Sequence, residues 1–174
     1  STRLETVVVI GAGIAGASAA HALALRGYSV TVIERAGEVA AGASGNRAGV
    51  LYPQVTKERG LATRWYFSGY AHALRLLAGL DGLRMGQPGM LKRPKDAKEE
   101  ARLREAGVNL GLHREVLRYV EAEEAATHTG LPMESGGAWF PHGSWVDVPR
   151  LVARLLQHPN ITLHCNTALR ALAK

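Results

Sequence analysis

Cysteine is nearly absent from the chain: Cys165 is the only one among 174 residues. A single thiol excludes an internal disulfide and a zinc site built from several cysteines, and we predict no metal site. Scarce cysteine also favours a reducing, cytoplasmic setting. Because 47% of the residues are hydrophobic and 21% are charged, the chain can bury a core, which excludes a disordered tail or a small disulfide-stapled scaffold.

The chain also lacks an uninterrupted apolar run of the kind that crosses a membrane. Residues 7–25 carry no formal charge and are numerous enough to span a bilayer. However, Gly11, Gly13 and Gly16 interrupt them, and Glu5 stands where a signal peptide has positive charge. We therefore predict no membrane anchor.

Positive charge is in excess, with 21 lysines and arginines against 15 aspartates and glutamates and a formal net charge of +6. This balance favours attraction to polyanions but does not establish nucleic-acid binding. The densest basic stretch is residues 92–98 (KRPKDAK). On its own it is typical of a solvated turn that leads into a helix.

The first 34 residues have the pattern of a strand, a helix and a second strand. Residues 6–10 (TVVVI) and 29–34 (SVTVIE) are runs rich in β-branched residues, as in fully buried parallel strands. Residues 13–25 predict a helix with Ile14, Ala17, Ala22 and Leu25 on one side, ended by Gly27. Ser18 and His21 lie on the same side, so this side is not purely apolar. Together they predict a right-handed βαβ unit.

A glycine-rich turn joins the first strand to the helix. Residues 11–16 (GAGIAG) fit G-x-G-x-x-G, and Glu34 ends the second strand about twenty residues later. Gly11 permits a tight turn, Gly13 lets the backbone approach a pyrophosphate, and Gly16 lets helix and strand pack closely. Glu34 can accept hydrogen bonds from ribose hydroxyls and repels a 2′-phosphate, so NADP is disfavoured while NAD and FAD stay open.

The rest of the chain alternates short strands and helices. Helices are predicted at residues 61–80, at 96–106, in the acidic part of 115–126, and at 148–157, where Asp147 is the N-cap. Strands are predicted at residues 89–92, at the start of 115–126, at 138–140 and at 161–165. Residues 36–53 form a long connection rich in glycine and alanine, and loops of that length are usually functional.

That connection is where a family resemblance begins. Residues 41–53 (AGASGNRAGVLYP) resemble the D-amino-acid oxidase and glycine oxidase superfamily of flavoproteins, and the likeness continues through residues 89–91, 136–145 (GGAWFPHGSW) and 161–172. It implies an α/β fold, with a Rossmann-like FAD-binding βαβ domain and part of an α+β substrate domain. The implied FAD-binding domain is discontinuous and incomplete, residues 1–84 and 145–174, with residues 85–144 in the substrate domain.

The resemblance implies FAD as the cofactor and assigns its contacts by position. The pyrophosphate would be held by Gly11, Gly13, Ile14, Ala15 and Gly16, and the adenosine by Glu34 and Arg35. The flavin side would be lined by Ala43, Ser44, Ala48, Gly49, Val50 and Leu51, and adenine would be held beside Leu169.

Within the superfamily, the GASGNR and LYP segments look most like the FAD domain of bifunctional tRNA 5-methylaminomethyl-2-thiouridine biosynthesis proteins. That subgroup has glutamine and glycine where this chain has His142 and Ser144. The resemblance implies oxidative removal of carboxymethyl from 5-carboxymethylaminomethyl-uridine at the tRNA wobble position, dioxygen as acceptor, and a methyltransferase domain in the same parent chain. The basic residues Lys92, Arg93, Lys95, Lys98, Arg102 and Arg104 would then help to hold tRNA.

Two other functions stay open at this point: a small-amine oxidase acting on glycine, sarcosine or D-amino acids, and an FAD-binding fragment without redox activity. Flavoproteins of this kind run longer, so we expect the chain to be an N-terminal half that is inactive alone. No catalytic base is predicted. Arg47, Tyr52 and His142 are the polar candidates near the expected cavity, and Trp139 and Trp145 are expected in the core.

Overall fold

A computed structural model describes residues 5–56 and 59–171 of the chain. Contacts divide the chain into two compact units, the first comprising Ser1–Gly49, Gly82–Arg84 and Val146–Lys174, and the second Val50–Asp81 and Met85–Trp145. The elements are β1 (Thr6–Ile10), α1 (Ile14–Ala24), β2 (Ser29–Ile33), a 3₁₀ turn (Ala43–Gly45), β3 (Gly49–Leu51), α2 (Leu61–Ala78), β4 (Met85–Gly86), β5 (Met90–Lys92), α3 (Ala97–Asn109), β6 (Arg118–Val120), α4 (Ala122–Thr129), β7 (Gly137–Phe140), β8 (Ser144–Val146), α5 (Val148–Leu156) and β9 (Ile161–His164).

The first unit contains the predicted βαβ arrangement. Strands β1, β2 and β9 form a parallel sheet in the order β1-β2-β9, with Thr6 opposite Ser29 and Val30 opposite Ile161. Helices α1 and α5 pack against each other, and Val30 and Val32 are buried. Asp147 caps α5 as predicted, because its carboxylate accepts a hydrogen bond from the Arg150 N–H.

The expected burial of β1 is wrong. Val8 and Ile10 are each 58% exposed, although their β-branched run predicted a strand covered on both faces. Val8 and Ile10 are two residues apart and so lie on the same face of β1, whereas Val7 and Val9 on the other face are half-buried. One face of the strand is therefore uncovered, and a strand's own sequence does not specify whether both of its faces will be covered.

The buried face of α1 differs in part from the predicted one. Ala17 and His21, both on the predicted side, are buried, as are Ala20 and Ala24, whereas Leu25 is 64% exposed. The His21 ring reaches α5, where its Nδ1 lies 3.0 Å from the Leu155 carbonyl oxygen. Because the helix is alanine-rich on every side, small side chains that permit close packing decide its inner face, rather than the largest apolar ones.

The second unit contains an antiparallel sheet in the order β5-β7-β6. Its core gathers Leu103 and Ala106 of α3 with Leu117 and Phe140. The predicted helix at residues 96–106 extends to Asn109, and the Asp96 carboxylate caps it by accepting a hydrogen bond from Glu99 N–H at 2.7 Å. Short strands β3, β8 and β4 form a further sheet in the order β3-β8-β4.

The sequence of α2 predicts an apolar face formed by Tyr66, Tyr70, Leu74, Leu77 and Leu80, and less of this face is buried than expected. Tyr70 and Leu77 are buried, but Tyr66 is 43% exposed. The Tyr70 hydroxyl has no hydrogen-bond partner among the described residues, and burial raises the pKa of Tyr70 to about 12. The buried face of α2 is therefore narrower than the apolar face that the sequence pattern predicts.

The two compact units divide the chain differently from the predicted domains at residues 50–81 and at Trp145. Both were assigned to the FAD-binding part, and both group with the second unit. The functional assignment of either unit stays a prediction. Separately, none of the described helices combines the length and the apolar character that a membrane crossing requires.

Candidate dinucleotide-binding site

The turn between β1 and α1 is closed by backbone geometry that requires glycine. Gly11 has φ +96° and donates its N–H to the Ile33 carbonyl at 2.8 Å. A Cβ on Gly16 would lie 1.9 Å from the Gly11 carbonyl oxygen and 3.5 Å from the Val9 side chain. The turn, the strand and the first helical turn are therefore in direct contact, as the motif predicted for Gly11 and Gly16.

The N-terminus of α1 presents backbone donors beside this turn. The first N–H to find an acceptor inside the helix is that of Ala17, which donates to the Gly13 carbonyl at 2.9 Å. The N–H groups of Ala15 and Gly16 precede it and have no carbonyl within the helix to bond. These donors and the positive end of the helix dipole favour an anion at this position.

Ser44, from the 3₁₀ turn, reaches the same helix end. Its Oγ accepts a hydrogen bond from the Ile14 N–H at 2.9 Å, across 30 residues of sequence. A Cβ on Gly13 would lie 3.1 Å from that Oγ, so the missing side chain of Gly13 leaves room for the serine. The long connection is thereby attached to the first turn of α1.

Glu34 joins the end of β2 to the glycine turn. Its Oε2 accepts the Ala12 N–H at 2.8 Å and its Oε1 accepts the Ala36 N–H at 2.9 Å. These bonds, the one from Ala36 contributing most, hold the pKa of Glu34 below its usual 4.5, with a smaller contribution from the Arg35 charge. The carboxylate is thus ionised at neutral pH, and its remaining lone pairs can accept ribose hydroxyls.

Two further residues shape the site without having been predicted. Ala12 supplies the N–H that Glu34 binds, and its carbonyl accepts the Ala40 N–H at 3.0 Å. Ala40 has φ +58°, an uncommon conformation for a residue with a side chain. Alanine gives no sequence signal for either role, because both are made by backbone atoms.

The other residues assigned to the cofactor lie farther along the chain. Arg35 is exposed beside Glu34, and Ala48 is exposed with its N–H donated to Asn46 Oδ1. Leu169 is 45% exposed, two residues beyond Thr167, whose N–H donates to the Glu34 carbonyl at 2.8 Å. Ala43 precedes Ser44 in the 3₁₀ turn and Gly49 begins β3 in the first unit, whereas Val50 and Leu51 belong to the second.

The polar candidates for chemistry differ in their surroundings. Arg47 is exposed in the first unit. In the second unit, the Tyr52 ring packs 5.7 Å from that of Phe140, and His142 is exposed, its carbonyl accepting the Ser144 hydroxyl at 3.0 Å. Trp139 is buried as expected and stacks on His128 at 4.1 Å. None of the described contacts of Tyr52 or His142 forms an acid–base pair.

The basic stretch considered for tRNA is partly neutralised by acidic neighbours. Lys92 and Arg102 both pair with Glu99, at 3.4 and 2.8 Å. Arg104 pairs with Glu100 at 3.1 Å and also contacts Glu121. Three of the six basic residues therefore form ion pairs with neighbouring glutamates, which weakens the expectation that this stretch binds a polyanion.

The parallel sheet, the glycine turn and the acidic residue after the second strand define a class of protein. The family model described as DAO, FAD dependent oxidoreductase, matches residues 6–174, and the chain belongs to this family. FAD is the cofactor of the family. The turn fits it, because a position without a Cβ, the α1 N–H groups and an ionised Glu34 meet there.

Curated relatives narrow the likeness further. The chain is 41% identical over 164 residues to the tRNA 5-methylaminomethyl-2-thiouridine biosynthesis bifunctional protein MnmC of Chromobacterium violaceum, covering 92% of this chain and 24% of that protein. It is 36% identical over 174 residues to MnmC of Methylobacillus flagellatus, covering 99% and 27%. The chain thus spans about a quarter of the length of these relatives.

Solved structures show the same fold. The FAD-bound L-alpha-glycerophosphate oxidase of Mycoplasma pneumoniae matches with a TM-score of 0.72 at 20% identity, covering 94% of this chain and 45% of that one. Iminodiacetate oxidase of Chelativorans sp. BNC1 matches with a TM-score of 0.62 at 28% identity, covering 91% and 46%. The glycine oxidase of Geobacillus kaustophilus matches with a TM-score of 0.66 at 22% identity, covering 95% and 47%.

Proposed function

We propose that the glycine turn and the first turn of α1 bind the pyrophosphate of FAD, and that Glu34 binds its adenosine ribose. The single observation that supports this proposal is the hydrogen bond from Ala12 N–H to the Glu34 carboxylate, which holds the acidic side chain at the glycine turn that leads into α1. The N–H groups of Ala15 and Gly16, which have no acceptor within the helix, supply donors for the phosphates. Gly13 lets the phosphates approach the backbone.

The remaining cofactor contacts are proposed from the family pattern. Ile14 continues the phosphate-binding turn, Arg35 stands beside the adenosine, and the segment ending at Leu169 runs along adenine. Ser44 is proposed to hold the long connection against α1 so that it can follow the flavin. The residues proposed on the flavin side are Ala43, Ser44, Ala48, Gly49, Val50 and Leu51.

The proposed reaction is oxidation of a C–N bond, with 5-carboxymethylaminomethyl-uridine at the tRNA wobble position as substrate. FAD, when bound, would supply the acceptor for the hydride that leaves the carbon next to the amine. The nitrogen loses a proton, which leaves an imine; water adds to it, the C–N bond breaks, and the primary amine and glyoxylate are released. The protein's part is to hold cofactor and substrate in register and to exclude competing water.

Two comparisons support this choice of substrate. The relative with 41% identity is named for tRNA 5-methylaminomethyl-2-thiouridine biosynthesis. The neighbour with 28% identity is an iminodiacetate oxidase, and iminodiacetate carries the same N-carboxymethyl group as the proposed nucleoside. An enzyme with this substrate would work in the cytoplasm, where tRNA is modified. Dioxygen as acceptor and a methyltransferase domain in the same parent chain belong to the same proposal.

The cofactor proposal is tested by titrating the chain with FAD and following flavin absorbance and fluorescence after gel filtration. Replacing Glu34 with glutamine (Glu34→Gln) should weaken FAD binding by about 10-fold, because a charged acceptor for the ribose is lost. Glu38→Gln makes the same charge change on an exposed residue of the neighbouring loop and should leave affinity unchanged. Equal affinity in both variants contradicts the assignment of Glu34.

The substrate proposal is tested on the parent protein that contains this chain. Under anaerobic conditions, tRNA carrying 5-carboxymethylaminomethyl-uridine should bleach the flavin and release glyoxylate. Bleaching by glycine or sarcosine, without bleaching by tRNA, identifies a small-amine oxidase instead. A flavin that binds but is reduced by none of these substrates supports an FAD-binding module without redox activity.

A further inference from the structure

Helix α2 exposes large apolar side chains near its N-terminal end. Leu61 is 82% exposed, Trp65 is 79% exposed and Tyr66 is 43% exposed. Leu61 and Trp65 are four residues apart and so lie on one side of the helix. Scattered exposed apolar residues need no explanation, but an exposed tryptophan beside a leucine and a tyrosine forms a patch of the kind that binds partners.

Among the described residues that line the surface next to this patch, the charged side chains are arginines. The sequence of α2 contains no aspartate or glutamate, while Arg64 and Arg75 are exposed on it and Arg59 precedes it. Within residues 5–56 and 59–171, no carboxylate forms an ion pair with Arg59 or Arg64. This contrasts with α3, where Arg102 and Arg104 are paired with glutamates. Arg93, Lys95 and Lys98 of the second unit also have no ion pair among the described residues, but Lys95 and Lys98 line a groove together with Asp96, Glu99 and Glu105. Arg59 and Arg64 line grooves whose described residues include no carboxylate.

Two adjoining grooves run past these side chains within the second unit. One, of about 550 Å³, is lined by Leu61, Trp65 and Tyr66 together with Arg64 and Ser68. The other, of about 690 Å³, shares Arg64 and Ser68 and continues to Arg59. Arg59 is held at its lip, because its Nε donates to the Leu110 carbonyl at 3.0 Å. Its guanidinium forms no further hydrogen bond with the residues that the structure describes, so its other N–H groups can reach a ligand.

We propose that this surface, defined by Arg59, Leu61, Arg64, Trp65 and Tyr66 and called here the α2 face, binds a single-stranded segment of tRNA. Exposed aromatic rings offer stacking platforms that any base can use, and neighbouring arginines attract the phosphates. A base stacks on Trp65, while Arg59 and Arg64 contact the backbone on either side. The choice of tRNA rests on the proposed function, and the α2 face adds the place where the nucleic acid is held.

The direct test is binding of a fluorescently labelled anticodon stem-loop RNA to the 174-residue chain, followed by anisotropy at several salt concentrations. Trp65→Ala should weaken binding by about 5- to 150-fold, the range for loss of one stacked base. Trp65→Phe should restore most of the affinity. Because Trp65 is exposed, we expect both variants to fold, and a thermal unfolding curve verifies this.

The charge component is tested with matched glutamine variants. Arg64→Gln should lower affinity and reduce the slope of log K against log salt by about 1. Arg26→Gln removes one positive charge from an exposed position of the first unit and should change affinity by less than about twofold. A duplex RNA of the same length should bind more weakly than the stem-loop, because its bases are not free to stack.

Three results would overturn the proposal. Affinity of folded Trp65→Ala for the stem-loop within twofold of the native value excludes stacking on Trp65. An equal effect of Arg26→Gln and Arg64→Gln indicates general attraction to positive charge. If sedimentation shows a dimer that Trp65→Ala dissociates while RNA affinity is unchanged, the α2 face binds a second copy of the chain. Because these measurements need no flavin, failure of the FAD or substrate proposal is recognised separately.

Discussion

The Glu34 carboxylate accepts the Ala12 N–H at 2.8 Å, which connects the end of β2 to the glycine turn 22 residues earlier in the chain. The same carboxylate also accepts the Ala36 N–H. One acidic side chain therefore holds two loops at the carboxyl ends of two parallel strands, where ligands of α/β sheets bind. In the proposed complex, Glu34 shapes the turn as well as binding the ribose.

The first prediction concerns the pH dependence of stability. The pKa of Glu34 is lowered in the folded chain, chiefly by the Ala36 and Ala12 N–H groups. A depressed pKa stabilises the folded state above the unfolded pKa, and this contribution is lost as pH falls through the lowered folded value. The difference in unfolding free energy between native chain and Glu34→Gln should be constant above about pH 6 and shrink toward about pH 3.

Urea unfolding at a series of pH values measures this difference. Glutamine can accept only one of the two N–H groups with its oxygen, and its NH₂ group opposes the other, so the variant is the less stable at neutral pH. Glu38→Gln is the control for the change in net charge. A difference that grows on acidification would contradict the assigned role of the carboxylate.

Two glycine-to-alanine variants within helices should have opposite effects. In Gly16→Ala, the new Cβ would lie 1.9 Å from the Gly11 carbonyl oxygen, so we expect destabilisation by about 2 kcal/mol or more. At Gly69, in α2, a Cβ meets no atom within 4 Å, and alanine should stabilise by about 0.5–1 kcal/mol. Thermal unfolding of both variants tests this. Similar effects at the two positions would mean that the turn does not touch the helix.

The hydroxyl of Ser44 is predicted to stabilise the first turn of α1. Ser44→Ala removes the acceptor of the Ile14 N–H, and loss of such a cap costs about 1 kcal/mol. Ser18→Ala is the matched control, because Ser18 lies inside α1 and alanine favours a helix there. Measured by chemical unfolding, the change in unfolding free energy should be a loss for Ser44→Ala and a gain for Ser18→Ala. A neutral Ser44→Ala would show that water replaces the serine at no cost.

The N-cap of α5 offers a prediction that does not depend on any ligand. Asp147 is buried, and its carboxylate accepts the Arg150 N–H at 3.2 Å. Asp147→Ala should cost about 1–2 kcal/mol of unfolding free energy, while Asp147→Asn should keep most of it, since asparagine is an equally good N-cap. Denaturant midpoints compare the three proteins, and equal losses in both variants would assign the effect to charge rather than to capping.

Local pattern was sufficient to predict the elements of the βαβ unit and the N-cap at Asp147. The signals in the sequence are short-range. They are the β-branched runs, a glycine at the turn position with φ +96°, a glycine where a Cβ would lie 1.9 Å from a carbonyl oxygen, and a capping residue shortly before Pro149. The predicted strand at 161–165 and helix at 96–106 were correct within a few residues of their observed ends. Each depends on chemistry within about one turn or one strand of the chain.

The sequence by itself therefore determined the strand–turn–helix–strand unit, the glycine turn and the acidic residue that follows it. Only tertiary structure decided that one face of β1 is uncovered, that His21 rather than Leu25 is buried, and that Ser44 reaches Ile14. It also decided that Arg102 and Arg104 pair with glutamates while Arg59 and Arg64 remain available beside Trp65. The physical reason is that these outcomes depend on contacts between residues far apart in the sequence. The residues next to each of them do not determine which elements pack together.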